Sequence, residues 1–177
     1  MARDDRPNVS RRHLVHALLG RDIPAEQPNA PAPDRHAAGD AAYAAGDYAA
    51  AIPAYRASIR GDLSNAPVRA RLGHALYTTG AFIQARVEFE HVLRLTGGRD
   101  PMARLCLGLT LLALGKTEKA LLTLEAFADA DRPELEQGIR EATVRLRDDP
   151  AAAPEAITGQ LLALARATAL LPDTPSA

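Results

Sequence analysis

Small and large apolar positions recur along residues 34–133 in one arrangement that is written three times. Three glycines mark it at steps of 34 and 35 residues: Gly39, Gly73 and Gly108. Three alanines keep the same steps, and each is followed four residues later by a large apolar residue: Ala51 and Tyr55, Ala85 and Phe89, Ala120 and Leu124. Several residue classes that stay in phase over three copies indicate an internal repeat. Apolar residues at helical spacing predict two helices in each copy.

The repeat boundaries divide the chain into predicted parts. The repeats occupy residues 34–65, 66–100 and 101–133. Residues 134–171 predict a less regular helical hairpin that caps the array, because terminal repeats are usually atypical. The remaining parts are an N-terminal arm with a short docking helix at 1–23, a Pro-rich linker at 24–33 and a tail at 172–177.

This pattern resembles the tetratricopeptide repeat (TPR) family, whose signature is W-x2-L-G-x2-Y, then A-x3-F, then P. Leu72-Gly73 and Leu107-Gly108 match the Leu-Gly pair, and Ala38-Gly39 is a weakened form of it. The chain departs from the signature at the tryptophan slot, which holds Arg35, Arg69 and Arg104. It also departs at the closing proline slot, which holds Leu63, Gly97 and Arg132. The resemblance implies an all-α, right-handed α-solenoid of about three TPR-like hairpins plus the C-terminal capping hairpin.

In that family, one face of each first helix lines a concave groove. The residues expected there are His36, Asp40, Tyr43, Arg71, His74, Tyr77, Leu105, Leu109 and Leu112. The implied function is that of a non-catalytic scaffold or adaptor, which binds a peptide or helix of a partner protein in this groove. Tyr43 and Tyr77 are the expected anchors, since tyrosine is enriched among binding hot spots.

The groove changes character along the array. The first helix of the third repeat is apolar on almost all sides between Leu105 and Leu114, which predicts that it is buried all round. A partner helix, the N-terminal arm or the chain's own helix near Pro154–Leu171 could each cover it, and the sequence leaves these alternatives open.

The N-terminal arm supports two other hypotheses. Arg11, Arg12, Leu14 and Leu18 form one basic and apolar segment that could dock on a neighbour. The chain would then be an accessory subunit of a larger complex, possibly redox or membrane-associated. Ser10-Arg11-Arg12 also resembles the start of a twin-arginine export signal, which suggests an assembly chaperone for a twin-arginine-exported enzyme. Export of this chain itself is disfavoured because His16 interrupts the apolar stretch that a signal requires.

Composition narrows the classes of function. The formal net charge is −1, so no overall field attracts nucleic acid. Cys106 is the single cysteine, which favours a reducing, cytoplasmic setting. The apolar run Leu105–Leu114 is much shorter than the ~20 residues that span a bilayer, so no direct membrane insertion is expected.

The histidines lack further ligands at metal-binding spacing, and no nucleophile or phosphate-loop motif occurs. We therefore expect no cofactor, no metal and no enzymatic activity.

Overall fold

The structure, a computed structural model, describes residues 36–149 and 154–173, and within them it is helical without a β-strand. All described helices lie in the compact unit Asp34–Ala177. In chain order they are α1 (Ala37–Ala44), α2 (Tyr48–Gly61), α3 (Ala66–Thr78), α4 (Phe82–Leu95), α5 (Pro101–Ala113), α6 (Thr117–Glu125), α7 (Pro133–Asp148) and α8 (Pro154–Ala167). The predicted all-α class is confirmed.

Local sequence accounts for where these helices begin and turn. Asp47, Asn65 and Asp100 each accept a hydrogen bond from the backbone N–H three residues later, at 2.9, 3.1 and 2.7 Å. Such side chains satisfy N–H groups that have no partner within the helix. Gly46 and Gly80 have φ values of 74° and 79° between paired helices, a left-handed conformation that glycine adopts without steric cost.

The helices pack mainly on their neighbours in the chain. Each one contacts the next, from α1 against α2 to α7 against α8. Two contacts skip along the chain: α3 packs on α5, and α8 packs on α5 as well as on α7. The last helix therefore returns to the middle of the described chain.

The repeated glycines mark close helix–helix contacts. A Cβ placed on Gly39 would lie 2.6 Å from the Tyr55 ring, and one on Gly73 would lie 2.7 Å from the Phe89 ring. At Gly108 the nearest atom would be a Leu124 methyl carbon at 2.5 Å. Each distance is shorter than a van der Waals contact, so only glycine lets these helices approach so closely. A fourth glycine, Gly138 of α7, meets Leu164 of α8 in the same way.

Two of the recurring arginines make specific bonds to the preceding loop. Arg69 Nε donates to the carbonyl of Leu63 at 2.9 Å, and Arg104 Nη2 donates to the carbonyl of Gly98 at 2.7 Å. The spacing is six residues in both cases. Arg69 is 6% exposed and also pairs with Glu88 at 2.8 Å. These two arginines therefore hold the preceding loop against the helix that follows it.

No helix among the described residues is long and apolar enough to cross a membrane.

Candidate functional site

A cluster of aromatic and histidine rings joins α1, α2 and α3. We call Tyr43, Tyr48 and His74 the Tyr-His cluster. Tyr43 Oη and His74 Nδ1 are hydrogen bonded at 2.8 Å, and both residues are buried. The three ring centroids lie 5.4 to 5.6 Å apart in edge-to-face arrangements, a geometry that aromatic rings favour. The hydrogen bond and the ring contacts hold these side chains in one arrangement.

A second group of polar side chains, centred on Asp40, joins α1, α2 and α3. Its Oδ1 atom accepts a hydrogen bond from Tyr55 Oη at 2.7 Å and another from Arg71 Nη1 at 2.8 Å. Tyr55 is buried, whereas the side chains of Asp40 and Arg71 are 38% and 40% exposed. We call this set the Asp40 network. It presents an ordered ion pair at the surface, above a buried tyrosine that orients the carboxylate.

Burial keeps the Tyr-His cluster uncharged near neutral pH. It lowers the pKa of His74 to about 4, and the positive charge of Arg166 lowers this pKa further in the same direction. Burial also raises the pKa of Tyr43 well above its usual value. Since charged forms of both groups are disfavoured by desolvation, the pair contributes a neutral hydrogen bond. His74 is therefore not charged at pH 7.

Two further side chains, Tyr77 and Arg166, are partly exposed. Tyr77 of α3 lies with its ring 5.6 Å from that of Phe82, and burial raises its pKa to about 12. The positive charge of Arg166 in α8 partly opposes the rise that burial causes in the pKa of Tyr48 and Tyr77, and it adds to the fall in the pKa of His74. The last helix thus brings a positive charge to residues of α2 and α3.

His36, predicted for the same groove, lies at the start of α1. Its Nδ1 atom is 3.0 Å from Ser58 Oγ of α2, and the side chain is partly exposed. It is therefore tied to the second helix of its own pair.

The apolar groove positions are covered. Leu105, Leu109 and Leu112 of α5 are 0 to 5% exposed and belong to the core, and α8 packs on α5. Buried residues of α8 are Ile157, Leu161 and Ala165. The sequence left open which segment packs against the apolar helix α5. In the structure, the chain's own last helix, α8, packs on it. These three leucines are buried within the chain itself, and their role in binding a partner stays a prediction.

The structure brings six of the nine predicted groove residues into or beside the two groups just described. Tyr43 and His74 are buried within the Tyr-His cluster, Asp40 and Arg71 form the ion pair, and Tyr77 and His36 lie partly exposed. The arm residues Arg11, Arg12, Leu14 and Leu18 lie outside the described residues, so the docking hypothesis for them stays a prediction.

Sequence reasoning did not find three members of this region: Tyr48, Tyr55 and Arg166. Tyr55 was assigned only to packing, although its hydroxyl also binds Asp40. Arg166 follows Ala165, which lies on the apolar stripe of α8.

Cys106, the single cysteine, lies in the apolar core. Cys106 is fully buried and burial raises the pKa of its thiol far above the usual value, which suppresses the reactive thiolate. Within the described ranges no group of three or more His, Cys, Asp or Glu residues could hold a metal ion.

No family model matches this chain, and no curated protein matches its sequence significantly.

Proposed function

We propose that this chain is a non-catalytic protein-interaction adaptor of the TPR-like type. In this proposal the paired helices form a right-handed solenoid, and the first helices of the first two pairs offer the surface that holds a partner peptide or helix. The surface consists of Asp40, Arg71 and Tyr77, with the Tyr-His cluster beneath it.

One observation carries the proposal: partly exposed polar and aromatic side chains are already ordered before a partner arrives. Asp40 and Arg71 are paired at 2.8 Å, and the carboxylate is fixed from below by Tyr55. Tyr77 is held against Phe82. Side chains that are fixed in advance lose little conformational entropy on binding, which increases affinity for a given contact area.

The repeated helix contact supports the same proposal. Gly39 with Tyr55, Gly73 with Phe89 and Gly108 with Leu124 use one spacing of 16 residues in three successive helix pairs. Identical close contacts imply similar geometry within each pair, and stacked pairs of similar geometry produce the extended binding surfaces of helical repeat proteins. The cytoplasmic setting expected from the single cysteine belongs to this proposal too.

The test is affinity capture from native extract with three forms of the protein. We compare the full chain, a form lacking residues 1–31 and the full chain with Tyr77→Ala. The matched control is Leu122→Ala, which truncates a side chain of α6 that is 70% exposed. We expect the shorter form to retain the same partner and Tyr77→Ala to lose most of it, while Leu122→Ala binds normally.

Other results would contradict the proposal in distinct ways. If only the full chain captured the partner and Tyr77→Ala did not matter, the arm would be the docking element, as the accessory-subunit hypothesis requires. Thermal melting of each form identifies a variant that fails by unfolding.

A further inference from the structure

The ion pair of Asp40 and Arg71 uses only part of its hydrogen-bonding capacity. Both bonds to the carboxylate end on one oxygen, since Tyr55 Oη and Arg71 Nη1 lie 2.7 and 2.8 Å from Asp40 Oδ1. Within residues 36–149 and 154–173, nothing bonds to Oδ2 of Asp40 or to Nε and Nη2 of Arg71. A carboxylate accepts on both oxygens and a guanidinium carries five N–H groups, so one acceptor atom and several donors remain.

These remaining atoms are accessible to solvent. In the described part of the chain, the buried side-chain N and O atoms without a hydrogen-bond partner are Nε of Arg86 and Nε of Arg104, and none belongs to Asp40 or Arg71. The side chains of Asp40 and Arg71 are 38% and 40% exposed. A bound segment can therefore reach the unused oxygen and the unused N–H groups of the pair.

Packing below the pair fixes its position. Tyr55 is fully buried, and its ring fills the space beside Gly39, where a Cβ would lie 2.6 Å from it. The Tyr55 hydroxyl is thereby held under α1, and its bond to Asp40 orients the carboxylate. Arg71 of α3 completes the pair, so the two side chains come from the first helices of successive helix pairs. A ligand meets an acceptor and donors that are already in place, which lowers the entropic cost of binding.

The charge of the pair decides which ligand groups suit it. Asp40 and Arg71 carry opposite unit charges, which cancel. A ligand carboxylate bonded to Arg71 would lie beside the Asp40 carboxylate, and a ligand ammonium bonded to Asp40 would lie beside the Arg71 guanidinium. Like charges placed side by side repel each other, and such repulsion excludes partners of the wrong charge. A neutral group that both accepts and donates meets the two side chains without that cost.

A primary carboxamide has this chemistry. Its oxygen accepts hydrogen bonds and its NH2 group donates two, and one of these N–H groups lies on the same edge of the planar group as the oxygen. A single main-chain peptide group cannot present both on one edge, because its trans geometry directs the N–H and the C=O to opposite sides. A side-chain carboxamide therefore matches the pair better than a backbone amide does.

We infer that Asp40 and Arg71 form a subsite for the side-chain carboxamide of an Asn or Gln in the bound segment of the partner. The carboxamide oxygen accepts from Arg71, and its NH2 group donates to Oδ2 of Asp40. The inference rests on the proposed function, since it assigns a chemical class to what that surface binds.

The test uses a display library of random peptides whose carboxyl ends are fused to the carrier, so that no free terminal carboxylate is present. Selections are run on the full chain, on Asp40→Asn and on Arg71→Gln. The matched controls are Asp131→Asn and Arg94→Gln, because each makes the same change of charge at an exposed side chain elsewhere in the chain. The controls separate a change at the subsite from a change in net charge.

We expect peptides selected on the full chain and on both controls to be enriched in Asn or Gln at one position. Asp40→Asn turns the accepting atom into a donor and leaves Arg71 unneutralised, so its peptides should carry Asp or Glu at that position. Arg71→Gln leaves the Asp40 carboxylate unneutralised, so its peptides should carry Lys or Arg there.

Synthetic peptides test the same preference on the full chain, without any variant. A peptide with Asp in place of the selected Asn, or Glu in place of the selected Gln, should bind about tenfold more weakly, because it loses one hydrogen bond and places two carboxylates together. Equal binding of the two peptides overturns the inference. Thermal melting identifies a variant that unfolds, and the other variant with its control then decides, since the two predict opposite changes in selectivity.

The outcomes separate this inference from the proposed function. Peptides that bind Tyr77→Ala weakly but show no preference for Asn or Gln overturn the inference and leave the proposed function intact. The same conclusion follows if Asp40→Asn and Arg71→Gln select the same residues as the full chain. It also follows if binding is lost on N-methylation of one peptide bond of the ligand and is insensitive to the side chains, because the pair would then bind the main chain. A selection that yields no peptide dependent on Tyr77 overturns both proposals.

Discussion

Replacing Gly73 with alanine tests the close contact on which each helix pair is built. The added Cβ would lie 2.7, 2.9 and 3.0 Å from three atoms of the Phe89 ring, which is fully buried and cannot turn away. Alanine favours the helix by ~1 kcal/mol, whereas overpacking a core typically costs about 1–3 kcal/mol. The net expectation is a loss of about 1 kcal/mol in the free energy of unfolding, because the steric cost exceeds the helix propensity.

Gly159→Ala is the matched control. Gly159 also lies inside a helix, α8, but a Cβ there would meet nothing within 4 Å. Only the propensity remains, so this variant should gain about 0.5–1 kcal/mol. Urea unfolding followed by circular dichroism measures both variants against the parent. If Gly73→Ala proves as stable as Gly159→Ala, the close approach of α3 and α4 is wrong.

A double variant identifies the cause of the loss. Phe89→Leu removes the ring atoms that the new methyl group would strike, although alone it leaves a cavity. The loss in Gly73→Ala/Phe89→Leu should therefore be smaller than the sum of the two single losses, since contacting residues are not additive. If the two losses are additive, the added methyl group does not destabilise the protein by striking the Phe89 ring.

Three further predictions follow from buried groups. The pKa of His74 is about 4 in the folded chain against 6.5 in the unfolded one. The unfolded state therefore takes up the proton first, so stability falls as the pH drops below 6.5. When the pH falls from 7.5 to 5.5, the free energy of unfolding of the parent should drop by about 1.4 kcal/mol more than that of His74→Gln, as measured by urea titration. If the two proteins lose the same free energy over this range, the burial of a neutral His74 is wrong. Arg69→Met should cost about 3 kcal/mol because it leaves Glu88 unpaired, and adding Glu88→Met should restore most of that loss in thermal melts. If the second change restores nothing, Arg69 acts mainly through the Leu63 carbonyl. Cys106 should resist a thiol reagent in buffer and react fully in denaturant, and rapid reaction in buffer would contradict its burial.

The repeated part of the fold was predictable because its signals are local and periodic. Gly39 and Tyr55 are 16 residues apart in sequence, as are Gly73 and Phe89, and the helix caps depend on residues three positions away. The contact between α5 and α8 was left as one alternative among several. Periodicity identifies an apolar face, but it does not state which other face will cover it.

The candidate site was predictable only in part, for the same reason. Helical spacing grouped Asp40 with Tyr43 and Arg71 with His74, since each pair shares a helix face. It did not identify the hydrogen bond between Tyr43 and His74 or the one from Arg71 to Asp40, which join residues 31 positions apart. The charge of Arg166 acts on the pKa of His74 from more than ninety residues away in sequence. Such contacts depend on how whole helices stack.

The return of α8 to α5 has a consequence for how the protein opens. An array whose units contact only their neighbours behaves as a one-dimensional chain, and it frays from both ends in small steps. A contact from the last helix to α5 ties one end to the interior, so that end cannot open without exposing α5. Amide hydrogen exchange should therefore be asymmetric, with α1 exchanging well before α7 and with α5 and α7 exchanging together.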